Sequence, residues 1–219
     1  MQSLSDLNPD LLKTLTEFSN FFYGRDFSHL ESLIGSDEKR KNVSVKSMAL
    51  EAVGEEYLRN ALKEPPMKYG FPRHSWGLEL VMDRRYIDDR ELLDKSQAAN
   101  DKLMNFFGAR NNALQMFYPS GGYIGWHTNC NAPGFNIVLS CNPGAKGYFE
   151  HYDHVNDKFV RYEDKPGWNC KVGYFGPDTE PEKMYWHCAY TDTPRLTFSY
   201  VIYDKNIWED MVDDIGRAD

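Results

Sequence analysis

Six histidines occur in the 219 residues, and four of them, His127, His151, His154 and His187, fall in the second half. His127 and Asn129 stand two positions apart at a predicted strand end, a spacing that places both side chains on one face. His187 follows sixty residues later on the penultimate predicted strand, and Arg195 opens the last strand eight residues beyond it. Two imidazoles and an oxygen donor on one face of a divalent metal ion leave open positions for further ligands. A close pair of donors, joined by a third from a strand folded alongside, builds such a face with little chain. A buried arginine on the neighbouring strand could grip one end of a dicarboxylate through a bidentate ion pair.

The elements that must position these residues divide the chain in two. Up to about Gly108 the periodicity is helical. Asn8 can cap a helix with Pro9 at its first position, and Leu11, Leu12, Leu15, Phe18 and Phe22 form its apolar stripe. A second helix is predicted over Ser44–Leu62, stopped by Pro65-Pro66, and a third over Asp88–Phe107, with Gly108 just past its end. The charged run Asp37–Lys41 reads as a solvated loop. From Ala113 onward, short strands alternate with Gly, Pro and Asn. The predicted strands are Ala113–Tyr118, Gly122–Thr128, Phe135–Ser140, Gly147–Tyr152, Lys158–Tyr162, Asn169–Phe175, Met184–Cys188 and Arg195–Tyr203, and Asn206–Ile215 reads as a short acidic helix. Strands so closely spaced suit a jelly roll or barrel. The expectation is an α+β chain, mainly β, forming one domain over 1–219. Residues 1–110 give helical support and substrate-side elements, 111–204 the jelly-roll core, and 205–219 a C-terminal helix.

Composition narrows the function classes. Hydrophobic residues at 41% and charged residues at 26% give enough apolar material for one core, which excludes a disordered chain or a disulfide-stapled miniature. No run approaches the ~18 apolar residues of a spanning helix. The start, MQSLSDLNPD, lacks the basic-then-apolar stretch of a signal peptide, and the four scattered cysteines form no CxxC, so a cytoplasmic location with reduced thiols is expected. A net charge of −8 argues against general binding to a nucleic-acid backbone, though a local basic groove stays open.

Ala113 to Tyr203 resembles the double-stranded β-helix core of the 2-oxoglutarate- and Fe(II)-dependent dioxygenases, in particular the prolyl-hydroxylase-like branch and uncharacterised phage-encoded oxygenases of that class. The resemblance rests on Met116-Phe117-Tyr118-Pro119-Ser120-Gly121-Gly122-Tyr123, then His127-Thr128-Asn129, then Tyr185-Trp186-His187-Cys188, then Arg195-Leu196-Thr197, all in the family's order. It implies His127 and His187 as iron ligands, Arg195 on the C5 carboxylate of 2-oxoglutarate with Thr197 beside it, and Tyr118 lining the co-substrate pocket. The implied activity is hydroxylation of a C–H bond of a peptidyl or small-molecule substrate, with release of succinate and CO₂.

The family carries Asp where this chain has Asn129, so one negative charge is missing from the ligand set. Four readings are open. Asn129 coordinates through its amide oxygen; another acid, such as Glu150, Asp153 or Asp192, replaces it; the position is left to water or an anion, as in relatives that halogenate; or catalysis has been lost. The last reading makes the chain a jelly-roll binding or assembly module. A cupin-type metal site of His127, His151 and His187 is a further alternative, which leaves Arg195 unexplained.

Weaker signals complete the inventory. Glu150-His151-Tyr152-Asp153-His154 reads as a polar hairpin or a substrate-contacting loop. Trp126 and Trp186, each preceding a candidate ligand, should point away from the metal into the sandwich core. Trp168 suits either strand packing or a substrate wall. Asn131 suits a turn or the substrate's approach, and Cys188 should pack on the face opposite His187. Oligomeric state and the substrate itself do not follow from these residues.

Overall fold

The computed structural model describes residues 1–25, 45–63, 71–78, 90–110 and 112–218. Two antiparallel sheets face one another. The larger is built from β1 (Gln2–Ser5), β3 (Trp76–Gly77), β4 (Asn112–Tyr118), β6 (Gly134–Cys141), β9 (Trp168–Phe175), β11 (Arg195–Ile202) and β12 (Arg217–Ala218), in the order β12-β1-β9-β6-β11-β4-β3. The smaller is built from β2 (Arg73–His74), β5 (Tyr123–His127), β7 (Gly147–Asp153), β8 (Lys158–Glu163) and β10 (His187–Thr191), in the order β2-β5-β10-β7-β8. From β4 to β11 the chain alternates between sheets, except where β7 and β8 form a hairpin within the smaller one.

Helices cover both outer faces. Helix α1 (Pro9–Tyr23) starts where expected, with Asn8 Oδ1 accepting from the Asp10 and Leu11 amides. Its Leu11, Leu15, Phe18 and Phe22 meet Leu92, Leu103 and Phe107 of α4 (Arg90–Phe107) over the outward residues of the larger sheet, among them Leu139, Leu196, Phe198 and Tyr200. Helix α5 (Lys205–Ile215), capped by Asp204, joins this layer through Ile215. The helix expected over Ser44–Leu62 is instead two, α2 (Val45–Ala52) and α3 (Glu55–Ala61). The break falls at Gly54, which takes an extended conformation and caps α3; a Cβ there would lie 2.9 Å from the Leu50 carbonyl oxygen. Ala49, Ala52, Val53 and Leu58 of this pair pack on Tyr123, Trp126, Trp186 and Cys188 of the smaller sheet.

Other departures from the expected elements are local. The described residues of segment 1–110 supply three strands as well as helices, and a two-residue strand follows the C-terminal helix. The strand expected over Met184–Cys188 runs over His187–Thr191, preceded by a 3₁₀ turn at Pro181–Lys183, so His187 begins its strand. Asp37–Lys41, Pro65-Pro66, Ser44 and Asp88 lie outside the described residues. Trp126 and Trp186 do turn away from the histidines, but into the layer beneath α2 and α3 rather than between the sheets, and Trp126 Nε1 donates to the Val53 carbonyl. Trp168 is a packing residue whose Nε1 donates to Ser19 Oγ of α1.

With the outer faces so filled, the inner faces are lined more sparsely, by Met116, Tyr118, Ile124 and Ala189 with Phe71 and Leu114 packed against them. A cavity of 290 Å³ remains between the sheets.

Candidate functional site

Strand register brings the two histidines together. His187 of β10 pairs with His127 of β5, while Ala189 pairs with Ile124. Between these pairs Cys188 of β10 alone opposes Gly125 and Trp126 of β5, which is a β-bulge, and it lets Ile124 and His127 both face the cavity although they are three apart. The imidazole centroids lie 4.1 Å apart, and both rings are buried.

The two rings are fixed in the same way. His127 Nδ1 lies 2.8 Å from the Gly125 carbonyl oxygen, and His187 Nδ1 lies 2.8 Å from that of Tyr185. A carbonyl oxygen only accepts, so each Nδ1 carries the hydrogen and each Nε2 keeps a lone pair. Burial pushes the His127 pKa down to about 4 and that of His187 well below its ordinary value, the latter helped by its neighbour. Both rings are thus neutral at physiological pH. Phe71 stacks on His127 at 4.1 Å, and Phe149 and Phe175 flank His187.

Asn129 lies just beyond β5 in a turn closed by the Ala132 amide donating to the Asn129 carbonyl, so strand alternation does not place it. It nevertheless lines the same cavity as both histidines, as do Asn131 and Asn136. The acids considered as replacements are engaged elsewhere. Glu150 pairs with Arg161 at 2.9 Å, Asp153 Oδ1 accepts from the amides of Val155 and Asn156, and Asp192 accepts from Tyr190. His151 shares the cross-strand row with His187, but it is stacked between Tyr185 and Tyr162. Among the described residues no three His, Cys, Asp or Glu side chains converge to hold a metal ion, which removes the three-histidine arrangement.

The far end of the cavity is polar and closed. Arg195 and Thr197 alternate onto the inner face of β11, and Tyr118 lies directly across from Arg195 on β4. Arg195 is 1% exposed and does not turn to solvent. Its partner is Asp164, also fully buried: Nε approaches Oδ2 at 3.0 Å without hydrogen-bond alignment, and Nη2 donates to Oδ1 at 3.3 Å. Asn142 Nδ2 donates to Asp164 Oδ2, the oxygen that Arg195 Nε approaches, and a Cβ at Gly147 would fall 2.7 Å from the same atom, so the carboxylate is tightly enclosed. Thr197 Oγ1 is buried without a hydrogen-bond partner among the described residues. The Tyr118 hydroxyl is held protonated by burial, its pKa pushed up to about 12.

Sequence reasoning missed Asp164, Phe71 and Arg73. Asp164 follows a charged strand end and is brought to Arg195 only by the closing of the sheets. Phe71 and Arg73 line the cavity mouth from a segment without periodicity. The hairpin Glu150–His154 contributes structure instead, through the turn capped by Asp153.

The donor set suits a divalent metal ion and an anionic ligand. Two neutral imidazoles offer lone pairs into one cavity with an amide oxygen nearby, and an unsatisfied hydroxyl and a guanidinium sit at its closed end. No protein-family profile and no curated protein matches the chain. Its fold is similar to that of several solved structures. A prolyl-4-hydroxylase of Pseudomonas putida is 17% identical over 73% of this chain and 86% of its own, with a TM-score of 0.35. A dioxygenase for auxin oxidation from rice is 14% identical over 92% and 72%, with a TM-score of 0.37. An oxidoreductase of the 2OG-Fe(II) oxygenase family from Burkholderia pseudomallei is 12% identical over 74% and 91%, with a TM-score of 0.32.

Proposed function

We propose that this chain is a non-haem Fe(II)- and 2-oxoglutarate-dependent oxygenase, a double-stranded β-helix forming one unit over 1–219, that hydroxylates a C–H bond of a peptidyl or small-molecule substrate. The observation that carries the reading is one cavity with the paired, neutral His127 and His187 on one side and Arg195, Thr197 and Tyr118 at its closed end. The strand orders of the two sheets support the β-helix reading.

Bound iron and 2-oxoglutarate would supply oxygen activation coupled to oxidative decarboxylation, yielding succinate and CO₂. The chain's own part is positional. His127 and His187 would hold the metal through Nε2, with their rings locked by the Gly125 and Tyr185 carbonyls. Asn129 supplies a neutral amide oxygen as third donor, which leaves the anionic charge to the co-substrate. Asp164 occupies the Nε edge of Arg195, so the guanidinium's free side would receive the C5 carboxylate, with the hydroxyls of Thr197 and Tyr118 sharing it. Phe71, Phe149 and Phe175 exclude water beside the histidines.

Anaerobic addition of Fe(II) and 2-oxoglutarate is expected to give a weak visible charge-transfer band. On admission of O₂, succinate should form at the rate that 2-oxoglutarate disappears, and His187→Ala should lose both signals. A second reading, a non-catalytic module that kept the fold, is favoured by Asn129 and by the missing third acidic donor among the described residues. Absence of both band and succinate from the wild-type chain would establish it.

A further inference from the structure

The cavity between the sheets holds one charged group to which neither the histidines nor the Arg195 end gives a use. Arg73 lies on β2, the edge strand of the smaller sheet, and pairs with Ile124 of β5. Cross-strand partners share a face, so Arg73 stands on the inner face beside Ile124, and both line the cavity. The strand is pinned there. The Gly125 amide donates to the Pro72 carbonyl at 2.7 Å, and a Cβ at Gly125 would fall 3.0 Å from that oxygen. The Arg73 guanidinium has no ion pair or hydrogen bond among the described residues; its contact is the face of Phe71, 5.9 Å from the ring centroid.

An exposed arginine is ordinarily matched by solvent, and Arg73 is exposed. What distinguishes it is the lining that it joins. Among the described residues no Asp or Glu lines the cavity. Asp164 cancels Arg195 and both histidines are neutral, which leaves Arg73 as the one uncompensated charge of that lining. A cleft lined by one sign of charge concentrates ligands of the other. The charge is felt inside: together with Arg195, Arg73 opposes the rise that burial imposes on the Tyr118 hydroxyl. Across the cavity, on the larger sheet, Leu114, Val138 and Val201 form an apolar wall. We propose that Arg73 is a specificity residue, selecting a small organic acid whose carboxylate meets the guanidinium while its apolar body lies along Leu114, Val138 and Val201. The planar guanidinium fork fits a carboxylate at two points, which a neutral amide cannot reproduce. As a statement about substrate this rests on the oxygenase reading and narrows its small-molecule class to free acids.

The test uses the full chain with Zn(II) and saturating 2-oxoglutarate, so that the Arg195 end is already occupied. The probes are N-acetyl-alanine, N-acetyl-valine and N-acetyl-leucine, each beside its carboxamide, with binding read by calorimetry. At least one acid should bind saturably, about tenfold tighter than its carboxamide, as expected for hydrogen bonds to a charged group. Arg73→Gln should abolish that preference and Arg73→Lys should keep part of it, both with the melting temperature of wild type because the side chain is exposed. Acids and carboxamides bound alike, no acid bound, or a preference that survives in Arg73→Gln would each overturn the proposal. Succinate formation by the wild-type chain with Fe(II) is scored separately. Succinate without a preference for acids sinks the role of Arg73 and leaves the oxygenase reading standing. A preference for acids without succinate sinks the oxygenase reading and the substrate role with it, and makes the cavity a binding site for acids.

Discussion

At the scale of single residues, the departure at Asn129 makes a measurable claim. Replacing a neutral amide with a carboxylate beside two neutral imidazoles adds one formal charge to the donor set. Asn129→Asp should therefore tighten Mn(II) or Fe(II) binding, by on the order of tenfold to a hundredfold in a competition titration. Unchanged affinity would place Asn129 outside the metal's reach. Asp164 makes a second claim. Removing one partner of a buried ion pair leaves the other charge uncompensated, at a cost of ~3–5 kcal/mol. Asp164→Asn should show that loss in urea unfolding, and the Asp164→Asn/Arg195→Met double variant should recover part of it. Simple additivity of the two single variants would show that the pair does not act as a unit. The histidines and Arg195 were legible because their order and spacing are carried by the chain itself. Asp164 was not, because its contact with Arg195 spans 31 residues and joins the end of a smaller-sheet strand to the start of a larger-sheet one.

At the scale of elements, long periodic segments were legible and short ones were not. Helix α1 and strands β4, β6, β9 and β11 each display a full apolar stripe or alternation, and their positions followed from it. Strands β2, β3 and β12 are two residues long and show no period at all; partners alone define them. The division of α2 from α3 at Gly54 was hidden because the apolar residues on either side continue one helical phase. That pair of helices also holds the back of the histidine-bearing strand. Trp126, next to His127, packs with Ala49, Ala52 and Leu58 and bonds the Val53 carbonyl, while Gly125 leaves only 3.2 Å between a would-be Cβ and Ala52 Cβ. Leu58 is fully buried in this layer, so Leu58→Ala should cost ~2–5 kcal/mol in urea unfolding. If α3 were only an ornament on the sheet, the loss would stay within about 0.5 kcal/mol, as at surface sites.

At the scale of the whole molecule, the interior between the sheets is a place where charge is disfavoured, and that sets a pH dependence. His127 and His151 are depressed to about 4 by burial, and His187 is lowered well below its ordinary value, chiefly by burial. Their unfolded counterparts take up protons near the ordinary histidine value of ~6.5. Between these limits the unfolded chain binds more protons than the folded one, so the histidines' contribution to folding stability is fully present above about pH 6.5 and drains away as the pH falls toward 4. Lys171 acts in the same sense in a higher window, since its depressed pKa of about 8 lies below the unfolded value and favours the folded state most under alkaline conditions. The metal-free chain should therefore lose melting temperature steadily from pH 6.5 to pH 4. His151→Phe, which keeps the stacking between Tyr185 and Tyr162 and removes one titrating ring, should flatten that slope. A saturating divalent metal should flatten it further by holding His127 and His187 deprotonated. A stability profile level across this range in wild type would mean that the histidines are solvated when folded, and the cavity that assembles them would then be wrongly drawn.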